Sequence, residues 1–193
     1  MQKTFKNIYY ILLLIFLVSC QGNKNPCSLS EVVLKDINRI DSLIGIPEVQ
    51  DRNRNWMKHN YDEPSIFHAD NETYRFIWSS SFDGTKIYRI EKKGNAFKAI
   101  VKVFANNDTI GKFTEFNISK KVWNNITDSL NATNFWMYPS SIDRKGLDGA
   151  SWSLEGYKPI KDKCTQKKFH SVGRWSPIDT QFISMCKLLY KLK

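Results

Sequence analysis

Two runs near the C-terminal end decide the fold: Leu147-Asp148-Gly149-Ala150-Ser151-Trp152-Ser153-Leu154-Glu155-Gly156 and Phe169-His170-Ser171-Val172-Gly173-Arg174-Trp175-Ser176-Pro177. Asp148-Gly149 is a turn dipeptide, because Gly tolerates positive φ and Asp can bond its own backbone. From Trp152 the period is two, with Trp152 and Leu154 on one face and Ser151, Ser153 and Glu155 on the other. The second run returns antiparallel as a strand over Phe169–Trp175. With the intervening lysine-rich loop centred near Lys163, Trp152 falls opposite Arg174, and Glu155 lies near His170 and Val172. Such neighbours interact at roughly 0.2–1 kcal/mol, and an Arg over a Trp face adds a cation–π term.

The hairpin leads into a final helix. Ser176 reads as its N-cap, Pro177 as its first residue and Asp179 as the group bonding back to the cap. Ile178, Phe182, Met185, Cys186 and Leu189 form the inward stripe.

Upstream, Tyr74 to Trp78 alternates, and Asp83-Gly84 is a hairpin signal. Lys86 to Glu91 continues as a strand, Gly94-Asn95 turns, and Phe97, Ala99, Val101 and Val103 face one way with Lys98 and Lys102 the other. Asn106-Asn107-Asp108 turns again, and Ile110 to Phe116 returns. Ser119 caps a helix with Val122, Trp123, Ile126 and Leu130 inward. The run Phe135-Trp136-Met137-Tyr138 reads as core beneath the sheet, and Ser140 to Gly146 as a loop.

Before the sheet, Ser28 to Gly45 has the marks of a helix: Ser28 with Glu31 as a capping box, a stripe of Val33, Ile37, Ile40 and Ile44, and Gly45 as the stop. Residues 46–72, with His59 and His68, show no clean period and read as a long, partly ordered excursion.

The N-terminus reads as an export signal. Lys3 and Lys6 precede an apolar run from Ile8 to Val18, the length of a signal core and short for a membrane span. Leu17-Val18-Ser19-Cys20 resembles the bacterial lipobox. That resemblance implies cleavage before Cys20 and lipidation of its thiol, so the membrane is the first expected partner. Gln21, rather than Asp, after the cysteine points to an outer-membrane lipoprotein facing the periplasm. Residues 20–27 then form a polar tether, and 28–193 one domain.

The 193-residue chain carries a net charge of +10. Loss of residues 1–19 removes two lysines and no acids, leaving +8. An exported protein rarely meets nucleic acid; the scattered lysines read first as a solubilising surface, and anionic envelope components are the neighbours that charge would otherwise serve. With Cys20 lipidated, Cys27, Cys164 and Cys186 remain. Cys164 and Cys186 are candidates for a disulfide in an oxidising compartment, a cysteine placed like Cys186 on an apolar helix face is more often plain core, and spacing does not fix the connectivity. No Cys/His spacing suits a metal, no cofactor is indicated, and neither a nucleophile elbow nor a phosphate-binding glycine loop is present.

Tyr74-Arg75-Phe76, Arg89, a lysine-bearing strand, a capped helix followed by Phe135-Trp136, then Leu147-Asp148-Gly149, Trp152, Glu155-Gly156, His170 and Arg174-Trp175-Ser176-Pro177 together resemble an uncharacterised family of small bacterial exported proteins and lipoproteins. The likeness spans about residues 74–192 and is sharpest in the last third. It brings no established activity or ligand with it. Phe169 stands where that pattern has Tyr, and Gly173 where an acid is common, which removes a carboxylate from a catalytic reading.

These residues lead to an α+β domain: one antiparallel sheet of about six strands packed against two or three helices. The expected function is a non-enzymatic binding or structural module of the envelope, contacting a protein or glycan through a face with His170, Arg174 and Trp175. The alternatives are a hydrolase of an envelope polymer with Glu155 and His170 as acid and base, and a protein protecting against an envelope toxin.

Overall fold

The computed structural model describes residues 55–67, 69–105, 110–140, 148–160 and 168–192. It is an α+β fold built on one open antiparallel sheet. The strands are β1 (Glu72–Ser80), β2 (Gly84–Lys93), β3 (Ala96–Phe104), β4 (Ile110–Asn117), β5 (Ala150–Tyr157) and β6 (Phe169–Trp175), in the order β4-β3-β2-β1-β5-β6. Among the described residues three helices accompany it: residues 55–61 (α1), Lys120–Ala132 (α2) and Thr180–Tyr190 (α3), with a 3-10 turn at Phe135–Met137. The Ser28–Gly45 segment, Cys20, Cys27, Cys164, His68 and the 106–109 turn lie outside the described residues.

Strand alternation gives the sheet two different faces. On the first, Tyr74, Phe76, Ile90, Ala99, Leu154 and Val172 meet α2, α3 and the 3-10 turn in the main core. Phe182, Met185, Cys186 and Leu189 of α3 are all fully buried there, at about 1.5–3 kcal/mol for a large apolar side chain. Ser119 does cap α2, accepting a hydrogen bond from Val122 N at 3.2 Å, and Trp123, Ile126 and Leu130 point inward. Val122 stays at the surface. Phe135 and Trp136 are buried beneath the sheet as the sequence predicts.

Gly84 opens β2 with φ +74°, and a Cβ there would stand 2.1 Å from the Phe104 carbonyl oxygen, so the Asp83-Gly84 hairpin needs its glycine for both reasons. In the last hairpin Trp152 pairs with Arg174 and Glu155 with Ser171, the expected register.

The start of the last helix differs from the sequence reading. The helix after the hairpin begins at Thr180 with Asp179 as N-cap, accepting from Gln181 N and Phe182 N at 3.0 and 3.3 Å. Ser176 instead takes φ +40° and closes the base of the hairpin, its Oγ accepting from Ala150 N at 3.2 Å. Positive φ at Ser176 is incompatible with the extended backbone of an N-cap, so the start moves downstream and Ile178 is left 74% exposed. Cys186 is plain core, a free buried thiol whose pKa burial pushes up. The aperiodic stretch before the sheet is partly ordered, as its sequence suggests. Met57 and Tyr61 of α1 pack with Ile87 and Phe104 on the second face of the sheet, and Ile66 is buried beyond them.

Candidate functional site

The second face is organised by charge. Arg75 of β1 lies directly opposite Arg89 of β2 on one side and Glu155 of β5 on the other. Two facing arginines repel. Their neutralisation comes from Glu63, a fully buried residue just after α1. Its Oε2 accepts from Arg89 Nε at 2.9 Å and lies 3.5 Å from an Arg75 terminal nitrogen. Its Oε1 stands 2.9 Å from Lys102 Nζ of β3, whose protons also reach the Tyr61 and Asp62 carbonyls at 3.0 and 2.7 Å. Arg89 further pairs with Glu91. Three cations and three carboxylates are thus interleaved, and Glu63 ties residues 55–67 to the sheet.

Arg75 is fully committed. Its Nε donates to Glu155 Oε2 at 2.8 Å, one terminal nitrogen pairs with the same oxygen at 2.6 Å, and the other donates to the Pro64 carbonyl at 2.7 Å. Glu155 keeps some exposure, its side chain 18% accessible, at the floor of a cleft of about 350 Å³. One wall is aromatic and apolar: Trp56, Ile66, Phe67 and Phe169, with the last two rings 5.0 Å apart. The floor carries hydroxyls from Ser79, Ser151 and Ser153, and Ser65 contributes a fourth from the wall. Ser79 Oγ meets Thr85 Oγ1 at 3.0 Å, and Thr85 in turn meets the Tyr61 hydroxyl at 3.3 Å, so the hydroxyls of the floor continue into α1.

The residues singled out from the sequence do not assemble here. His170 and Arg174 sit on the opposite face, buried against the helices. His170 Nε2 is 2.9 Å from the Tyr138 carbonyl, and its ring stands edge-on to Phe135 at 5.2 Å. Arg174 donates to the carbonyls of Pro139, Ser140 and Gly173 at 2.6, 3.2 and 2.7 Å. Its guanidinium lies over Tyr138 and Phe182 at 5.6 and 5.4 Å, the cation–π partners it takes in place of the expected Trp152. Trp175, odd-numbered, shares the Glu155 face, so His170, Arg174 and Trp175 do not share one surface. Glu155 and His170 likewise have the sheet between them, and no single substrate position touches both.

Beside Arg174, Tyr138 donates to Asp179 Oδ2. Burial, reinforced by that bond, raises the Tyr138 phenol to about 12. Burial alone would raise Asp179, but hydrogen bonds from Tyr138, Phe182 and Gln181, with the Arg174 charge, outweigh it and hold the carboxyl below its ordinary value. The Glu155-Gly156 dipeptide has a packing reason: a Cβ on Gly156 would stand 2.7 Å from Phe135 Cε1 and 3.1 Å from Tyr74.

Among the described residues no cluster of His, Cys, Asp and Glu could hold a metal ion, and no helix is long and apolar enough to cross a membrane. No protein family, curated protein or solved structure matches the chain. Functional reasoning therefore starts from the cleft itself. Sequence reasoning reached Glu155 but missed Glu63, Arg75 and the serine floor as parts of one site. The signal available was Arg75 and Glu155 in register through β1 and β5, which needs the strand order.

Proposed function

We propose that this protein is a lipid-anchored component of the bacterial cell envelope that works by binding, and that its binding surface is the cleft on the sheet face opposite the main core. The anchor reading is supported by Lys3, Lys6, the Ile8–Val18 run and Leu17-Val18-Ser19-Cys20. The membrane is then one partner, and an envelope polymer or protein the second. The observation that carries the binding reading is the cleft of about 350 Å³ with a neutral ion pair at its floor and aromatic rings on its wall. Concave sites of this size, mostly apolar with a few placed polar groups, are the usual ligand sites of proteins.

The test has two parts. Metabolic labelling with palmitate should mark the wild type and not a Cys20→Ser variant; an unlabelled wild type removes the anchor. The delipidated protein should cosediment with isolated envelopes, and Ser153→Trp, which fills the cleft from β5, should abolish this without lowering the melting temperature. Undiminished sedimentation of Ser153→Trp would exclude the cleft as the contact.

A further inference from the structure

The donors and acceptors of the cleft point to a ligand class, given the binding reading above: we infer that it takes a neutral saccharide, a mono- or disaccharide unit of an envelope glycan. The argument begins with charge. Arg75 spends its nitrogens on Glu155, the Pro64 carbonyl and Glu63, so among the described residues an entering phosphate or carboxylate finds no uncommitted cation at the floor. Glu155 is neutralised by Arg75, so an ammonium group gains little there either. A charged ligand would lose its hydration without a counter-charge, and that loss is large.

What remains at the floor is hydroxyl chemistry. Ser151 and Ser153 each offer a hydroxyl donor and two lone pairs, and Ser79 adds what its bond to Thr85 leaves over, which suits a partner made of hydroxyls that also donate and accept. The apolar wall of Trp56, Phe67 and Phe169 suits the C–H face of a pyranose ring, which is apolar where its rim is polar. A peptide strand is a poorer match. Extended peptides bind through main-chain hydrogen bonds at a sheet edge, whereas this cleft lies on a sheet face whose backbone groups are used in the ladders β1–β2 and β1–β5.

The experiment titrates the full-length protein with maltose, cellobiose and chitobiose, with glucuronate and glucose 6-phosphate, and with a blocked neutral tetraalanine, following backbone amide shifts. At least one neutral disaccharide should bind saturably, with the largest shifts on β5 and around Trp56, and should weaken by at least about tenfold in Ser153→Trp. Glu155→Gln releases Arg75 from its carboxylate and should gain affinity for glucuronate relative to wild type. A merely structural Glu155 would not produce that gain, and Ser153→Trp decides the matter if Glu155→Gln does not fold. Preference of the wild type for either anionic sugar, or tetraalanine binding in the cleft, overturns the saccharide class. Failure of every sugar while envelope sedimentation stays sensitive to Ser153→Trp also overturns it and leaves the cleft as the contact; loss of both removes the cleft too.

Discussion

Replacing Glu63 by Gln is the sharpest probe of how residues 55–67 are held on the sheet. The substitution keeps shape and removes one buried charge. Arg75 retains Glu155 and Arg89 retains Glu91, but Lys102 loses its carboxylate and keeps neutral partners alone, among them the Tyr61 and Asp62 carbonyls. Lys102 is 6% exposed, so water does little to compensate. Removing one partner of a buried pair costs about 3–5 kcal/mol, because the other charge stays buried and unpaired. For a chain of this size, that corresponds to a fall in melting temperature of roughly 10 °C. Urea denaturation measures the cost, and limited proteolysis should place the first new cut within 55–67. Lys102→Met in the Glu63→Gln background should recover part of the loss, since it removes the stranded ammonium. A cost below about 1 kcal/mol, or no recovery in the double variant, would refute the view that Glu63 is the anion that fastens this segment.

Gly156→Ala should destabilise by about 1–3 kcal/mol in urea, since its methyl enters the space held by Phe135 and Tyr74. Arg174→Met should lower stability by about 1–3 kcal/mol through loss of its bonds to Pro139 and Ser140, while leaving envelope sedimentation unchanged. Tyr138 has a folded pKa raised to about 12, so its contribution is fully present below the ordinary tyrosine value of 10 and is lost as pH rises toward 12. Denaturation curves at pH 9 and 11.5 should therefore differ less in Tyr138→Phe than in the wild type. Asp179 runs the other way: its depressed carboxyl stabilises above its ordinary value and loses that effect as pH falls through the folded one, so Asp179→Asn should flatten the acid limb of the stability profile.

Much of the architecture could be read from local pattern. The Asp-Gly turns, the alternation of β1, β3 and β5, and the stripe of α3 each depend on neighbours within a few residues. The hairpin register, Trp152 against Arg174, followed from counting alone. What escaped was set by distant partners. Glu63 looks like a loop acid until Arg75, Arg89 and Lys102 from three strands are seen to converge on it. Ser176 has the composition of a cap, yet at the hairpin base it takes positive φ with its hydroxyl on Ala150 N, and the role passes to Asp179. Arg174 sits beside Trp152 in register but turns to Tyr138 and Phe182, because the 3-10 turn brings two carbonyls within its reach.

The strand order has a kinetic consequence. β1 through β4 follow one another closely in sequence and can zip together as a local ribbon, as β5 and β6 can on their own. The two ribbons are sewn along a single seam, β1 against β5, where Arg75 and Glu155 meet across 80 residues of chain. Closing so wide a loop is the slow, entropically costly event in assembling such a sheet, so the seam should set the folding rate and its residues should show partial structure in the folding transition state.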